Sequence, residues 1–234
     1  MIDIAVVSAA GRGTRMKELT KERPKHLIEV NGRPFISYLL DNIVAAGFKK
    51  IVLVVGHNKE KFDDFLSQYN YPVKVIEQPM SDNDDYGTAI PIKYAQPEVG
   101  DNQFVAVAGD HYFTTADLKK LVIDDKLNYI GAAKVDDPRQ YGVAQYDSDG
   151  FLEKIVEKPE NPASSLVNVS LYKFQSEVFS IINSLDKSPR GEYEITDALN
   201  KLAETKKVKV IEVEKFYLDF GRPDDIKRME KILE

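Results

Sequence analysis

The stretch Ile4-Ala5-Val6-Val7-Ser8-Ala9-Ala10-Gly11-Arg12-Gly13-Thr14-Arg15 joins a short apolar run to a glycine-rich turn. Ile4 to Val7 predicts a buried strand, because the run is short, apolar and followed by glycines. Backbone amides in a glycine-rich turn between a strand and a helix can bind an anion, since no Cβ blocks the approach of phosphate oxygens. The stretch therefore predicts an anion site directly after the first strand.

Two well-known phosphate-binding loops do not match this turn. A Walker A loop ends in Gly-Lys-Ser/Thr, and the dinucleotide fingerprint of dehydrogenases has a third glycine where Met16 stands. A Gly-x-Gly pair alone is typical of a tight structural turn. Here Thr14-Arg15 and, a short loop later, Pro24-Lys25 add two cations. Two cations beside one glycine loop suit a triphosphate better than a structural turn.

The first half of the chain alternates short β-branched runs with amphipathic stretches. Pro34 predicts the start of a helix, and Gly47 predicts its end. Later buried strands are predicted at 51–55, 73–76 and 104–108. This alternation indicates right-handed βαβ units and a mainly parallel sheet, whose ligand crevice lies beyond the carboxyl ends of the strands. Gln78 and Gly109-Asp110, like the glycine-rich turn, follow predicted strands and are expected in that crevice.

The pattern changes after Leu127. Strands are predicted at 129–135, 143–147, 151–156 and 167–174, separated at first by turns, and helices resume from Glu177 and Glu194. Because no Pro/Gly/Ser-rich linker separates the halves, we expect one continuous domain over 1–234 with subregions 1–127 and 128–234.

Bulk composition excludes several classes of protein. The chain of 234 residues has a net charge of −6 and no cysteine. An excess of acid argues against a nucleic-acid coat or a polybasic membrane anchor. The lack of cysteine excludes disulfides, thiolate nucleophiles and cysteine-ligated metals. No apolar run approaches the ~20 residues that span a bilayer. From the acidic charge and the lack of such a run, we expect a cytoplasmic protein without nucleic-acid or membrane partners.

Motifs spread through the chain resemble those of the sugar-1-phosphate nucleotidylyltransferases. After the opening turn and Arg23-Pro24-Lys25, the following match in order: Gln78, Gly87-Thr88-Ala89, Gly109-Asp110, Tyr141-Gly142-Val143, Glu157-Lys158-Pro159, Asn168-Val169-Ser170-Leu171-Tyr172, Gly191 to Asp197, and Tyr217-Leu218-Asp219-Phe220-Gly221-Arg222-Pro223. One such match would mean little, but this many in register indicate the family.

The resemblance implies an α/β fold: a three-layer α/β/α Rossmann-like nucleotidyltransferase fold with a mixed, mainly parallel sheet. It also implies attack of a sugar-1-phosphate oxygen on the α-phosphorus of a nucleoside triphosphate, with 1–127 binding the nucleotide and 128–234 the sugar. Arg15 and Lys25 are then the catalytic cations. The implied nucleotide-binding residues are Ala9, Ala10, Gly11, Gly13, Thr14, Gln78, Gly87 and Thr88. The implied sugar-phosphate-binding residues are Gly142, Glu157, Lys158 and Asn168. Asp110 and Asp219 are implied as ligands of Mg²⁺, which commonly takes one or two protein carboxylates.

The chain departs from the family pattern at a few positions. Ser170 replaces a glycine, Tyr217 a tryptophan and Arg222 a threonine, and a lengthened acidic loop precedes Gly87. These differences leave base and sugar open. UTP or dTTP with glucose-1-phosphate is the leading pair.

Several alternatives remain at this point: GTP with a mannose or heptose phosphate, a phosphocholine or inositol phosphate acceptor, and a non-catalytic nucleotide-sugar-binding subunit. Glu157, Asn168 and Gly142 favour a polyhydroxyl acceptor. Because Arg15, Lys25, Asp110 and Asp219 are all present, we expect an enzyme. We also expect no fused acyltransferase domain, since hexapeptide repeats are lacking, and a homo-oligomer, by the habit of the family.

Overall fold

Buried side chains line both faces of the first strand, Ile4–Ala9, which places it at the centre of a sheet. The structure is a computed structural model that describes residues 2–11, 13–56, 58–81, 85–214 and 220–233. In this part of the chain no helix has the length and apolar character needed to cross a membrane.

Eleven strands and seven α-helices occur among the described residues. The strands are β1 (Ile4–Ala9), β2 (Glu29–Val30), β3 (Arg33–Pro34), β4 (Lys50–Val55), β5 (Val73–Glu77), β6 (Phe104–Ala108), β7 (Asn128–Lys134), β8 (Gly142–Tyr146), β9 (Leu152–Glu157), β10 (Leu166–Phe174) and β11 (Val208–Glu212). The helices are α1 (Phe35–Ala45), α2 (Lys59–Leu66), α3 (Ile90–Val99), α4 (Thr115–Lys120), α5 (Glu177–Asn183), α6 (Ile195–Ala203) and α7 (Asp224–Ile232).

The main sheet has nine strands and mixed direction. Its order is β11-β7-β10-β6-β1-β4-β5, with β8 pairing β10 and β9. β6, β1, β4 and β5 are mutually parallel, whereas β10 lies antiparallel between β6 and β7. The carboxyl ends of the four parallel strands therefore meet at one edge, and this edge positions the candidate site.

Helices cover both faces of this sheet. Ala5, Val7 and Ala9 of β1 belong to a hydrophobic cluster with side chains of α1 and α2. Ile4 and Val6, which point the opposite way, pack with side chains of α3, α5 and α6. Because successive side chains of a strand alternate between faces, this division gives three layers. The prediction of a three-layer α/β fold with a mixed, mainly parallel sheet is confirmed.

The predicted strands are all present with small shifts of their ends, and α1 begins directly after Pro34. Three helices, the two-residue strands β2 and β3 and the edge strand β11 were not predicted. α3 has Pro91 in its first turn and Pro97 inside it, which obscures a helical pattern, although the first turn tolerates proline. α4 is only six residues long, and α7 buries only Met229, so neither shows a long apolar stripe.

Candidate active site

The carboxyl ends of β1, β5 and β6 surround a central cavity of about 170 Å³. Three of the groups predicted to follow strands line it together: Ala10-Gly11 after β1, Gln78 after β5 and Asp110 after β6. Lys25, which lies 85 residues before Asp110 in the sequence, joins them. This arrangement follows the rule for parallel sheets that ligands bind beyond the carboxyl ends.

Local hydrogen bonds fix the conformation of the glycine turn. Gly13 has a φ of 65°, a left-handed conformation that glycine adopts without strain. Its carbonyl accepts hydrogen bonds from the Met16 N–H (2.9 Å) and the Thr20 Oγ1 (3.1 Å). Thr14 and Arg15 then begin a short 3₁₀ helix, Thr14–Thr20, on the surface of the protein. Ala9 and Ala10 are buried beneath the turn, and Gly11 is exposed.

Lys25 and Asp110 form an ion pair in the cavity wall. The Lys25 Nζ lies 2.5 Å from the Asp110 Oδ2, and the two side chains are only 8% and 20% exposed. The second carboxylate oxygen of Asp110 contacts the His111 Nδ1 at 2.9 Å. Burial alone would raise the pKa of Asp110, but the Lys25 ammonium, together with His111, holds that pKa well below its usual range. The carboxylate is therefore ionised and available to a cation.

His26 follows Lys25 and is 1% exposed. Its Nδ1 is buried without a hydrogen-bond partner, and its ring packs against Phe62. Burial, with help from the neighbouring Lys25 charge and against the effect of Asp110, lowers the pKa of His26 to about 3. His26 is thus a neutral imidazole in the cavity wall, a role that its sequence position did not signal.

Gln78 carries the second unsatisfied buried group of the cavity. The residue is 2% exposed. Among the described residues, the Nε2 donates to the Met80 sulfur at 3.5 Å, a weak acceptor, and the Oε1 has no partner. A buried amide in this state is costly unless a ligand completes its hydrogen bonds. The cavity can therefore bind a flat polar group at Gln78.

Gly87 and Thr88 connect the cavity to helix α6. A Cβ on Gly87 would lie 2.3 Å from the carbonyl oxygen of Tyr193, and the φ of Gly87 is 133°. The need for glycine thus comes from close backbone packing against Tyr193, a contact distant in sequence. The Thr88 Oγ1 accepts from the Ile195 N–H at 2.9 Å and lies 3.3 Å from Glu194. Thr88 lines the cavity while its hydroxyl fixes the start of α6.

Gly142, Glu157 and Lys158 lie together at the β8–β9 pair. Gly142 is paired with Glu157 across the two strands. A Cβ on Gly142 would lie 2.9 Å from the Glu157 Oε1, so the carboxylate covers the bare glycine backbone. Partial burial is the largest cause that raises the pKa of Glu157, and the Arg190 charge opposes it. Lys158 is exposed and has a φ of 45°.

Asn168 braces an irregularity in β10. Pairing with β7 shifts register between Asn168 and Tyr172. The Asn168 Oδ1 accepts from the Ser170 N–H (3.0 Å), and the Nδ2 donates to the Tyr172 Oη (2.9 Å). Ser170 and Tyr172 line the central cavity. Burial raises the pKa of Tyr172 to about 12, against hydrogen bonds from Asn168 and Ser170 and with a contribution from the Glu157 charge. Val167, next to Asn168, pairs with Val143 of β8, next to Gly142, so the Asn168–Tyr172 hydrogen bond lies beside the Gly142–Glu157 pair.

Arg190 is a cation of this region that the motif comparison passed over. Its guanidinium donates to Glu194 at 2.6 Å, and Glu194 is 5% exposed. The bond to Glu194, with smaller effects of Glu192 and Glu157, raises the pKa of Arg190. Its position immediately before the matched segment at Gly191 was a signal that sequence reasoning could have used. Asp219, the second predicted metal ligand, lies outside the described residues, as does Tyr217.

Comparisons with known proteins identify the family of this chain. A model of the nucleotidyl transferase family matches residues 4–234. The bifunctional sugar-1-phosphate nucleotidylyltransferase/acetyltransferase of Sulfurisphaera tokodaii is 34% identical over 223 residues, which cover 95% of this chain and 53% of that protein. The bifunctional protein GlmU of Methanocaldococcus jannaschii is 35% identical over 98% of this chain and 54% of its own length. This chain therefore spans about half the length of these two relatives.

A relative of similar length is the UTP–glucose-1-phosphate uridylyltransferase AglF of Haloferax volcanii. It is 31% identical over 240 residues, which cover 98% of this chain and 96% of AglF. A UDP-glucose pyrophosphorylase complexed with UDP-glucose shares the fold with a TM-score of 0.86 over 100% of this chain and 98% of that one. Its sequence is 22% identical, so this likeness concerns the fold alone.

Proposed function

The chain belongs to the nucleotidyl transferase family, and we propose that it transfers a nucleotidyl group from a nucleoside triphosphate to a sugar-1-phosphate. One observation carries this proposal. A single cavity at the carboxyl ends of β1, β5 and β6 contains an unsatisfied buried amide, at Gln78, and a buried charged pair, Lys25–Asp110. The amide suits a nucleobase, and the charged pair suits a phosphate with its counter-ion.

The proposed reaction is a single displacement at phosphorus. A phosphate oxygen of the sugar-1-phosphate attacks the α-phosphorus, a new P–O bond forms, and the bond from the α-phosphorus to the bridging oxygen breaks. The electron pair leaves with pyrophosphate. Two anions must meet, so the protein contributes mainly positioning and charge neutralisation. Lys25 neutralises charge on the α-phosphoryl group, and Arg15, with the backbone amides of the turn at Gly11 and Gly13, holds the departing phosphates.

Asp110 fits the role of a magnesium ligand. Its carboxylate is a hard oxygen donor and is ionised, and Mg²⁺ commonly binds one or two carboxylates and takes its other ligands from water and phosphate. We propose Asp219 as the second carboxylate. The residue after it, Phe220, donates its N–H to the Asp110 carbonyl at 2.7 Å, which brings the chain back to Asp110. Bound magnesium would neutralise charge on the reacting phosphates.

The proposed acceptor site lies beside Glu157. Its carboxylate can accept hydrogen bonds from sugar hydroxyls above the bare backbone of Gly142. The charges of Arg190 and Lys158 both act on this carboxylate, and we propose that they bind the sugar phosphate. Asn168 contributes by bracing the chain at Ser170 and Tyr172.

We propose UTP or dTTP with glucose-1-phosphate as the leading substrate pair. The Gln78 amide has a free acceptor and a donor held only by a thioether, and uracil and thymine present the complementary N3–H and O4 on one edge. Glu157 with the glycine at 142 suits a polyhydroxyl acceptor. The Haloferax volcanii relative is named as a uridylyltransferase for UTP and glucose-1-phosphate, which supports this pair.

The test is pyrophosphate release by the purified protein with magnesium, across a matrix of nucleoside triphosphates and phosphate acceptors. The acceptors include glucose, mannose, heptose and inositol phosphates and phosphocholine. We expect the highest kcat/KM with UTP or dTTP and glucose-1-phosphate. Release with no pair would refute the proposal and leave a nucleotide-sugar-binding subunit, which equilibrium dialysis with UDP-glucose would detect.

Variants separate the catalytic role of the cations from a general effect of charge. Arg15→Ala and Lys25→Ala are each expected to lower kcat about 100-fold, the usual effect of removing one charge-stabilising group. The matched control is Lys206→Ala, because the Lys206 side chain is 76% exposed and does not line the cavity. The control should keep wild-type kcat.

A further inference from the structure

Ser170 has a backbone conformation that serine rarely adopts. Its φ of 58° lies in the left-handed region, where a Cβ crowds the backbone and which glycine occupies without strain. Among the described non-glycine residues, five have a positive φ, and two of these are asparagines, which tolerate it. Of the remaining three, Lys158, Ser170 and Lys206, Ser170 is the one that lines the central cavity. Strain of this kind concentrates at functional sites.

The surroundings of Ser170 hold this conformation in place. Asn168 accepts from the Ser170 N–H and donates to the Tyr172 hydroxyl, so it bridges the irregular part of β10. Directly after Ser170 the strand returns to regular pairing, with Leu171 opposite Val107 of β6. Leu171 is fully buried. The hydrogen bonds of Asn168 before Ser170 and the buried Leu171 after it therefore fix the direction of the Ser170 side chain. The backbone cannot relax to another φ without breaking this packing.

The side chain of Ser170 occupies part of a small space. The cavity is about 170 Å³, and Tyr172, Ala108 and Asp110 line it together with Ser170. Tyr172 is 4% exposed and is fixed by its hydrogen bond to Asn168. A rigid wall cannot move back to admit a larger ligand, so one hydroxymethyl group changes which ligands fit.

We infer that Ser170 is a specificity-determining residue that narrows the acceptor end of the cavity. It selects an unsubstituted hexose 1-phosphate over an N-acetylated amino-sugar 1-phosphate. This inference rests on the proposed function and adds the acceptor class. The steric part comes from the Cβ, which glycine lacks. The hydroxyl of Ser170 can in addition exchange hydrogen bonds with a sugar hydroxyl.

The experiment compares Ser170→Gly and Ser170→Ala with the wild type. The kcat/KM is measured for glucose-1-phosphate and for N-acetylglucosamine-1-phosphate, each with UTP and with dTTP. The wild type is expected to favour glucose-1-phosphate by about 10-fold or more, the size of discrimination that one small group supplies. Ser170→Gly should reduce this ratio by about 5-fold or more. Ser170→Ala should retain most of it, since the Cβ remains.

The matched control is Lys206→Gly, which removes a left-handed side chain of similar φ (53°) outside the cavity. It should leave the acceptor ratio unchanged. Thermal unfolding of each variant shows whether it is folded, and Ser170→Gly is expected to be folded because glycine adopts a φ of 58° without strain. The inference is wrong if the wild type prefers the N-acetylated acceptor, or if Ser170→Gly leaves the ratio within about twofold of the wild type.

A Ser170 side chain that faced the nucleotide instead of the acceptor would change the preference between nucleotides. If Ser170→Gly altered the preference between UTP and dTTP without altering the acceptor ratio, the side chain would face the nucleotide, and the inference would be overturned. These results differ from failure of the proposed function. Wild-type protein that releases no pyrophosphate with any substrate pair refutes the proposed function and the inference with it.

Discussion

Breaking the Lys25–Asp110 pair should affect stability and activity in separable ways. The perturbations are Lys25→Met, Asp110→Asn and the double variant. Each single substitution leaves one charge of the pair in a largely buried place, because the two side chains are 8% and 20% exposed. The double substitution leaves two neutral groups of similar size. The pair should therefore show a large coupling energy in unfolding experiments.

The magnitude follows from the geometry. Removing one partner of a fully buried ion pair costs about 3–5 kcal/mol. Lys25→Met should cost less, about 2–3 kcal/mol, because Asp110 retains its contact to His111 and some exposure to water. For a chain of this length each kcal/mol lowers Tm by about 2–4 °C, so the expected decrease is about 4–12 °C. The coupling energy of the double-mutant cycle should be about 2 kcal/mol.

Urea unfolding followed by far-UV circular dichroism measures the cycle, and thermal unfolding gives Tm. The chain has no tryptophan, so indole fluorescence is not a probe. Pyrophosphate release measured on the same samples gives the second readout. We expect the double variant to recover stability relative to the sum of the singles but to recover no activity. Additive single effects, with coupling under about 0.5 kcal/mol, would refute the pairing of Lys25 with Asp110 in solution.

Three further predictions concern stability. Gly87→Ala should lower the free energy of unfolding by about 3 kcal/mol or more, because the added Cβ would lie 2.3 Å from the Tyr193 carbonyl oxygen. Urea titrations measure this loss, and a smaller loss would mean that the contact relaxes readily. Asn168→Ala should cost about 2 kcal/mol by the same assay, since two hydrogen bonds are lost; Asn168→Asp, which keeps the acceptor, should cost less. Lys173→Met removes a fully buried ammonium that donates to Asp125 at 2.7 Å. Burial raises the pKa of Asp125, but Lys173 and Tyr129 lower it below its usual value, so its stabilising effect is present above about pH 4 and disappears as the pH falls. The stability difference between the wild type and Lys173→Met should therefore shrink between pH 7 and pH 3, and a constant difference would contradict this.

The elements of the fold could be predicted wherever local periodicity was strong. Buried strands such as Ile4–Ala9 and Lys50–Val55 are short apolar runs bounded by glycine, and a helix starting at Pro34 follows from a fixed φ. The edge strand Val208–Glu212 has the same five residues, Val-Lys-Val-Ile-Glu, as the predicted strand Val73–Glu77, so its local pattern was available and was missed. What the pattern does not give is its parallel partner, β7, which only the fold brings beside it.

The candidate site shows the same division. A glycine turn with nearby cations at Arg15 and Lys25 indicates a phosphate site from the sequence alone, because amide and ammonium chemistry is local to those residues. The family is likewise evident from the order of the motifs, and the comparisons confirm it. Each of these features depends on residue type and spacing, which a sequence states directly.

The pairing of these groups was decided by the tertiary structure. Lys25 meets Asp110 across 85 positions of sequence, and Gly87 is required by the backbone of Tyr193, more than 100 positions away. The two unsatisfied polar atoms, on His26 and Gln78, are also visible only in the folded chain, because burial depends on what packs around them. Residue types and their order along the chain indicate the chemistry that we propose for it. The folded chain decided where that chemistry lies, since burial and close contact between distant segments exist only after packing.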